Sequence, residues 1–288
     1  MASLSAMSRS LLPPPSSPLS NASRGRVLRF SSRNGVVRCS ADRQLLFNRI
    51  APVYDNLNDV LSLGQHRVWK RMCLSWSGAK RGDRVLDLCC GSGDLAFLLS
   101  QTVGPHGQVF ALDFSCEQLS IASARRDLLW KGCYKNIEWI EGDALNIPFV
   151  DNYFDAITMG YGLRNLLDKQ KALQEIFRVL KPGSRVSVLD FNKSTSSLVS
   201  QIQELMIDNV VVPVASTYGL SKEYEYLKAS IAEFLTGREL EKLARDVGFS
   251  NCKHYEIAGG LMGNLVARSI CETNVPAHVV FDPGKPIM

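Results

Sequence analysis

The chain has 288 residues, 45% of them hydrophobic and 21% charged, with a formal net charge of +5. No apolar run approaches the ~20 residues needed to cross a bilayer, and eight cysteines and four histidines without a C-x-x-C pair exclude a zinc-type or dithiol centre, leaving reduced, mostly buried thiols. The positive charge belongs to one end: six arginines precede the first acid, Asp42, and without them 27 basic residues face 28 acidic ones, so the body lacks the basic face that nucleic acid requires.

Residues 1–40 are rich in Ser, Pro and Arg and contain no acid. Pro13-Pro14-Pro15 bars a long helix, and no apolar core of secretory length is present. This composition predicts a cleaved organelle transit peptide, and "VVRCSA" resembles a chloroplast cleavage site near Arg38. Residues 41–270 then form one domain, and the unpatterned residues 271–288 a loose tail.

In chain order, "RQLLFNRIAPVYDNLND" reads as a helix broken near Pro52, and "GQHRVWKRMCLSW" as a helix whose apolar face is Val68, Met72 and Leu74 to Trp76. Strands and helices alternate from there. "RVLDLCC", "QVFALDF", "IEWIEGDA", "YFDAITMGYGL" and "SRVSVLDF" are strands; "DLAFLLSQTV", "CEQLSIASARRDLLWKG" and "KQKALQEIFRVL" are helices, the last stopped by Lys181-Pro182-Gly183. A helical stretch interrupted around Pro213 follows. Thr236 then caps a helix that ends at Gly248, and two closing strands meet at Gly259-Gly260. Alternation of this kind predicts an α/β, Rossmann-like doubly wound sheet, mostly parallel with an antiparallel closing strand.

The turn "DLCCGSGD" carries the chemistry. A phosphate loop of the Walker type needs a lysine that is absent. Gly91, Gly93 and Ala96 satisfy the dinucleotide pattern formally, but Asp87 and Asp94 flank them and would repel a pyrophosphate. Carboxylates suit a ligand with a cationic end, such as the ammonium and sulfonium of S-adenosylmethionine. Glycines then allow the ligand to approach the backbone. Asp113, ending the second strand, is placed to accept from ribose hydroxyls, and Asp143, ending the third, from an adenine amino group. Asp94 equally suits a helix N-terminus, where it favours the dipole.

"VLDLCCGSGD", "ALDFS", "GDALNIPF", "FDAITMGYGLRN" and "RVLKPGSRVSVLDF" resemble, in order, the motifs of class I S-adenosylmethionine-dependent methyltransferases. "FNRIAPVYDNLNDVLSLGQHRVWKR" and "YGLRN" resemble, more narrowly, the ubiquinone/menaquinone biosynthesis C-methyltransferase family. The resemblance implies cofactor positions at Ser92, Asp113, Asp143 and Ala144, with Gly160 in a backbone role where some members have a serine. It implies methyl transfer from S-adenosylmethionine to a ring carbon of a prenylated naphthoquinol. With a plastid leader the expected acceptor is the phytyl-tailed demethylphylloquinol; another prenylated quinol, or a catalytically silent subunit of a quinone-synthesis complex, is the alternative.

A ring carbon attacks a sulfonium only when electron-rich, so the acceptor is the reduced quinol, whose phenolic proton resembles that of tyrosine, near pKa ~10. Arg164 is the candidate phenolate stabiliser and Asn165 its orienting partner; Tyr54 and Asp55 lie on a possible lid, and His66 has the intrinsic pKa of a base. Leu205, Met206, Val210 and Val211 are candidates for lining a tail channel. The expected partners are the quinol substrate, a membrane surface contacted peripherally and a quinone reductase, with no nucleic acid and no metal. The expected location is the chloroplast, stromal or peripheral to its membranes.

Overall fold

The computed structural model describes residues 44–46, 48–49, 62, 64–129, 132–211, 213, 216 and 221–270. The expected leader, the tail, and Tyr54 and Asp55 lie outside these residues. Seven strands form one sheet in the order β3-β2-β1-β4-β5-β7-β6. They are β1 (Arg84–Leu88), β2 (Gln108–Asp113), β3 (Ile137–Glu141), β4 (Phe154–Gly160), β5 (Leu180–Phe191), β6 (Ser250–Ile257) and β7 (Met262–Arg268). β1 pairs parallel with β2 and β4, and β7 runs antiparallel to both β5 and β6. The strand order reverses direction between β1 and β4, which opens a crevice at their carboxyl ends.

Helices cover both faces, so the central strands are buried on both sides. Leu86, Leu88, Phe110 and Leu112 pack with α4 (Lys169–Val179) and α7 (Gly237–Val247) on one face. Val85, Val109 and Ala111 pack with α2 (Asp94–Val103) on the other, where α1 (His66–Ser77) and α3 (Cys116–Leu128) also lie. α7 starts at a capping box formed by Thr236 and Glu239 and stops at Gly248, as its sequence predicts.

Three local expectations change. The Lys181-Pro182-Gly183 stop is not a loop: β5 begins at Leu180, directly after α4, because Leu180 is fully buried and pairs with Phe154 before a bulge. In α1 the buried side is His66, Lys70, Cys73 and Ser77, while Val68 is exposed. This helix lies over a sheet face that carries polar groups, so its polar stripe turns inward. Leu205 and Met206 are exposed on α5 (Ser197–Met206) and do not line the crevice; the side chains of Val210 and Val211 lie outside the described residues. Among the described cysteines all are free; Cys73 and Cys90 are buried, Cys89 and Cys252 half-buried and Cys116 exposed.

Those polar groups form a file across the sheet. Asp87, Thr158 and Ser187 are register partners on β1, β4 and β5. Thr158 Oγ1 donates to Asp87 Oδ1 at 2.8 Å, and Asn264 Nδ2 on β7 donates to Ser187 Oγ at 2.9 Å. All four side chains are buried. Burial pushes the Asp87 carboxyl up to about 7, against the Thr158 hydrogen bond and the charge of Lys70.

The folded state therefore keeps a proton on Asp87 through a pH range in which an unfolded aspartate, near ~3.9, has lost it. Stability from this group falls as pH rises from about 4 to about 7, by at most ~1.4 kcal/mol per unit. Asp87→Asn keeps an acceptor for Thr158 and removes the dependence. Denaturant unfolding between about pH 5 and pH 8 should show the wild type gaining on the variant as pH falls. Parallel pH curves for the two proteins would remove Asp87 from this role.

Candidate active site

The crevice is built by loops that leave adjacent strands at the same edge. After β1 the chain turns through Cys89, Gly91 and Gly93, with φ of 57°, 53° and 91°, and enters α2 at Asp94. A Cβ at Gly93 would lie 2.6 Å from Trp139 Cη2, so both the left-handed backbone and the packing demand glycine there. Asp113, at the end of β2, fixes this turn. Its Oδ2 accepts from Gly91 N–H at 2.8 Å and its Oδ1 from Ser115 N–H at 2.9 Å. Burial raises the Asp113 pKa, and these two N–H donors oppose the shift.

Beyond β3, Gly142 N–H donates to Asp113 O at 2.9 Å, and Asp143 Oδ1 accepts from Leu145 N–H at 2.9 Å. The resulting crevice holds about 830 Å³ of space, part of it open solvent. Gly91, Asp113, Asp143, Ala144, Gly160 and Asn165 all line it. At Gly160 a Cβ would stand 2.9 Å from Leu95 Cδ1, and at Gly162 it would meet the Cys89 Cβ at 2.6 Å. The wall is otherwise apolar, with Leu112, Phe114, Leu145 and Leu166.

Gln118 is the site residue that sequence reasoning missed. It lines the crevice and is buried, and its Oε1 is a buried acceptor with no donor among the described residues. A buried acceptor without a partner carries a desolvation cost of roughly 1–3 kcal/mol, which a donor on a bound ligand would relieve. S-adenosylmethionine fits these groups: carboxylates for hydroxyl and amino donors, an amide oxygen, apolar walls for a flat base, and glycines where it must approach the backbone. The signal for Gln118 was its place in the helix: with Ser115 as N-cap, Gln118 is the third residue of α3, on the turn that faces the β1 loop.

Other expected site residues lie elsewhere. Asp87 is beneath the turn in the buried file, not on the crevice wall. Ser92 faces away: its O and Oγ accept from Arg125 at 2.9 and 3.0 Å. Asp94 is clamped by Lys70 and Arg125, each at 2.7 Å. Burial alone would raise its pKa, but the two cations outweigh this and hold it well below the usual carboxylate range. Asp94 thus serves the helix end and an internal ion pair, not a ligand's cation. His66 opens onto a separate polar cavity with Lys70, Arg71 and Asp94, and its Nδ1 is 2.8 Å from Ser62 Oγ.

"LRN", Leu163 to Asn165, forms a 3₁₀ turn after β4. Arg164 does not line the crevice. Its Nη1 donates to Asp190 Oδ1 at 2.6 Å and to Tyr161 O at 3.0 Å, and its backbone N–H donates to Asp190 Oδ2. Asn165 does line the crevice, held by its own bond to Tyr161 O and by Tyr226 Oη, which donates to Asn165 Oδ1 at 3.0 Å. Tyr226 sits on α6 (Ser221–Ala232), 61 residues away in sequence, and no local pattern announces it. From the N-terminal side, helical residues 44–46 and 48–49 reach the same edge: Gln44 Nε2 donates to Phe114 O and Ser115 Oγ donates to Asn48 Oδ1.

The sheet order, the single reversed strand and the glycine turn define the fold of S-adenosylmethionine-dependent methyltransferases. One such enzyme from Aquifex aeolicus superposes with a TM-score of 0.54 at 22% identity, over 75% of this chain and 98% of its own. Phosphoethanolamine N-methyltransferase 2 of Haemonchus contortus, in complex with S-adenosyl-L-methionine, gives 0.53 at 18% identity, over 70% of this chain and 52% of its own. The chain belongs to the ubiE/COQ5 methyltransferase family, whose model matches residues 38–268. It is 64% identical to the chloroplastic 2-phytyl-1,4-beta-naphthoquinone methyltransferase of Arabidopsis thaliana, over 87% of this chain and 96% of the relative. It is 52% identical to the 2-phytyl-1,4-naphtoquinone methyltransferase of Nostoc punctiforme, over 77% and 96%.

Asp113→Asn keeps the side-chain shape while removing its charge and one acceptor. Calorimetry should show S-adenosylmethionine affinity lower by about 1–3 kcal/mol, roughly ten- to hundredfold. Unchanged affinity in a folded variant would take Asp113 out of the site. Arg178 supports the neighbouring loop, donating to Ile147 O, Phe149 O and Glu175. Arg178→Met should cost about 2–3 kcal/mol of unfolding free energy in urea, because buried backbone acceptors lose their donors. A loss below about 0.5 kcal/mol would mean that the loop holds itself.

Proposed function

We propose that the chain transfers a methyl group from S-adenosylmethionine to the ring of demethylphylloquinol, the 2-phytyl-1,4-naphthoquinol, giving phylloquinol within plastids. The observation that carries the reading is the crevice itself. It joins carboxylates at the ends of β2 and β3 to a glycine turn, the buried Gln118 oxygen and an apolar wall. The names of the plant and cyanobacterial relatives support the acceptor, and the chloroplastic relative supports the location and a cleaved leader.

The donor supplies an electrophilic methyl on a cationic sulfur. Asp113 accepts from its ribose hydroxyls and Asp143 from its adenine amino group. The acceptor lies on the side of Gly160 and Asn165. Loss of the phenolic proton places electron density on the adjacent ring carbon. The new C–C bond forms as the C–S bond breaks, and the ring proton then leaves to restore aromaticity. Asn165, held by Tyr161 O and Tyr226, orients the phenol oxygen. Arg164, paired with Asp190 behind it, fixes the turn that carries Asn165.

No helix among the described residues is long and apolar enough to cross a membrane. The phytyl tail holds the acceptor in a membrane, so the chain meets it at the surface by peripheral contact. The acceptor reacts as the quinol, which a separate reductase or a reduced pool supplies. An anaerobic assay with radiolabelled donor tests this. Product should form from the naphthoquinol and be absent with the naphthoquinone until a reductant such as borohydride is added. Equal product from the oxidised ring without reductant would sink the proposed nucleophile, and methylation of a benzoquinol alone would sink the acceptor.

A further inference from the structure

Helix α5 buries one side and exposes an apolar row next to it. Its inner side carries Val199, which approaches Gly260, and Gln203, which is buried and donates to Asn192 O and Leu261 O. On the outer side Leu198, Ile202, Leu205 and Met206 recur at the spacing of one helical face and are 66, 44, 65 and 40% exposed. The helix holds one charged residue, Glu204. A helix at a water interface ordinarily carries charge on that face, and a contiguous row of four large apolar side chains marks a surface that something covers.

The surroundings indicate the chemistry of the cover. Lys228 Nζ lies 2.9 Å from Asp208 and 3.5 Å from Glu204, so among the described residues these ion pairs set two carboxylates against one cation, which does not draw an anionic surface. The row presents on the order of 400 Å², half of the ~800 Å² per partner that a stable dimer buries. α6 lies between the row and the crevice: Lys228 ties α6 to the end of α5, and Tyr226, two residues earlier on α6, bonds Asn165 on the crevice wall.

We infer that the outer face of α5 seats on a lipid surface of uncharged headgroups, with Leu198, Ile202, Leu205 and Met206 inserted beneath them, beside the wall through which the acceptor enters. This rests on the lipid-tailed acceptor proposed above. Binding of this kind follows buried apolar area, and salt does not weaken it.

The test uses the full chain and vesicles of uncharged phosphatidylcholine, which give the arginines of residues 1–40 no anionic partner. Flotation at low and high salt compares wild type with the Leu198→Gln/Leu205→Gln double variant, whose changes lie on exposed positions. Turnover is followed separately with a tail-less naphthoquinol in solution and with the phytyl acceptor in vesicles. The wild type should float equally at both salt concentrations. The variant should bind at least about tenfold less, lose turnover on the vesicle-borne acceptor and keep it on the tail-less one. Equal flotation of the two proteins overturns the inference. So does binding that salt abolishes or that appears only with anionic lipid, and so does a dimer in sedimentation that the double substitution dissolves. If neither protein methylates the tail-less naphthoquinol, the acceptor reading fails, while the flotation arm still decides the surface.

Discussion

One carboxylate organises the ligand edge of this sheet. Asp113 spends one oxygen on the N–H of Gly91 and the other on the N–H of Ser115, while its own carbonyl receives Gly142. Loops following β1, β2 and β3 are thereby fixed to a single residue. Each carboxylate oxygen retains a lone pair, so the group that builds the edge can also accept from a ligand. The cost is a buried charge, visible as the raised pKa, which the two backbone donors only partly offset.

The glycine turn separates two electrostatic compartments. On the crevice side lie Asp113, Asp143 and the unpaired Gln118 oxygen, all acceptors. Behind the turn, Lys70 and Arg125 close on Asp94 at the start of α2, and Arg125 also holds Ser92. The cations are thus kept on the far side of the backbone, where they neutralise the helix-end carboxylate and do not oppose a cationic ligand in the crevice. The turn is rigid because both sides pull on it, and Trp139 fills the space where a side chain at Gly93 would go.

Much of this was legible in the sequence, for identifiable reasons. Short continuous apolar runs, glycine stops and the Thr236 cap are local signals, so the alternating elements and the reversed last strand could be read directly. The positions of Asp113 and Asp143 on the crevice wall were legible because strand ends at a switch point line the crevice. That Ser92 and His66 lie off this wall, and that Asp94 takes its helix-end role, could not be read from position alone, since a turn residue has two sides and only tertiary partners, here Arg125, Lys70 and Ser62, choose between them. The Arg164 guanidinium was read as facing the ligand, but Asp190, 26 residues on, draws it inward. Gln118 had a local signal, its place just past the Ser115 cap, whereas Tyr226 depends on how α6 packs over the edge, which no short pattern encodes.

The buried file of Asp87, Thr158, Ser187 and Asn264 has a consequence for how the chain finds its fold. Parallel strands meet only after long crossovers, so their pairing is slow and open to slippage. A one-residue slip of β4 would turn Thr158 to the face packed by Leu86 and Leu88 and leave Asp87 in a dry interior without its hydroxyl donor. Mispaired sheets are thus penalised at their centre, where hydrophobic side chains alone, being nearly interchangeable, would distinguish correct from shifted alignments only weakly. The polar file acts as an alignment key, and the price of a buried aspartate is fidelity in assembly.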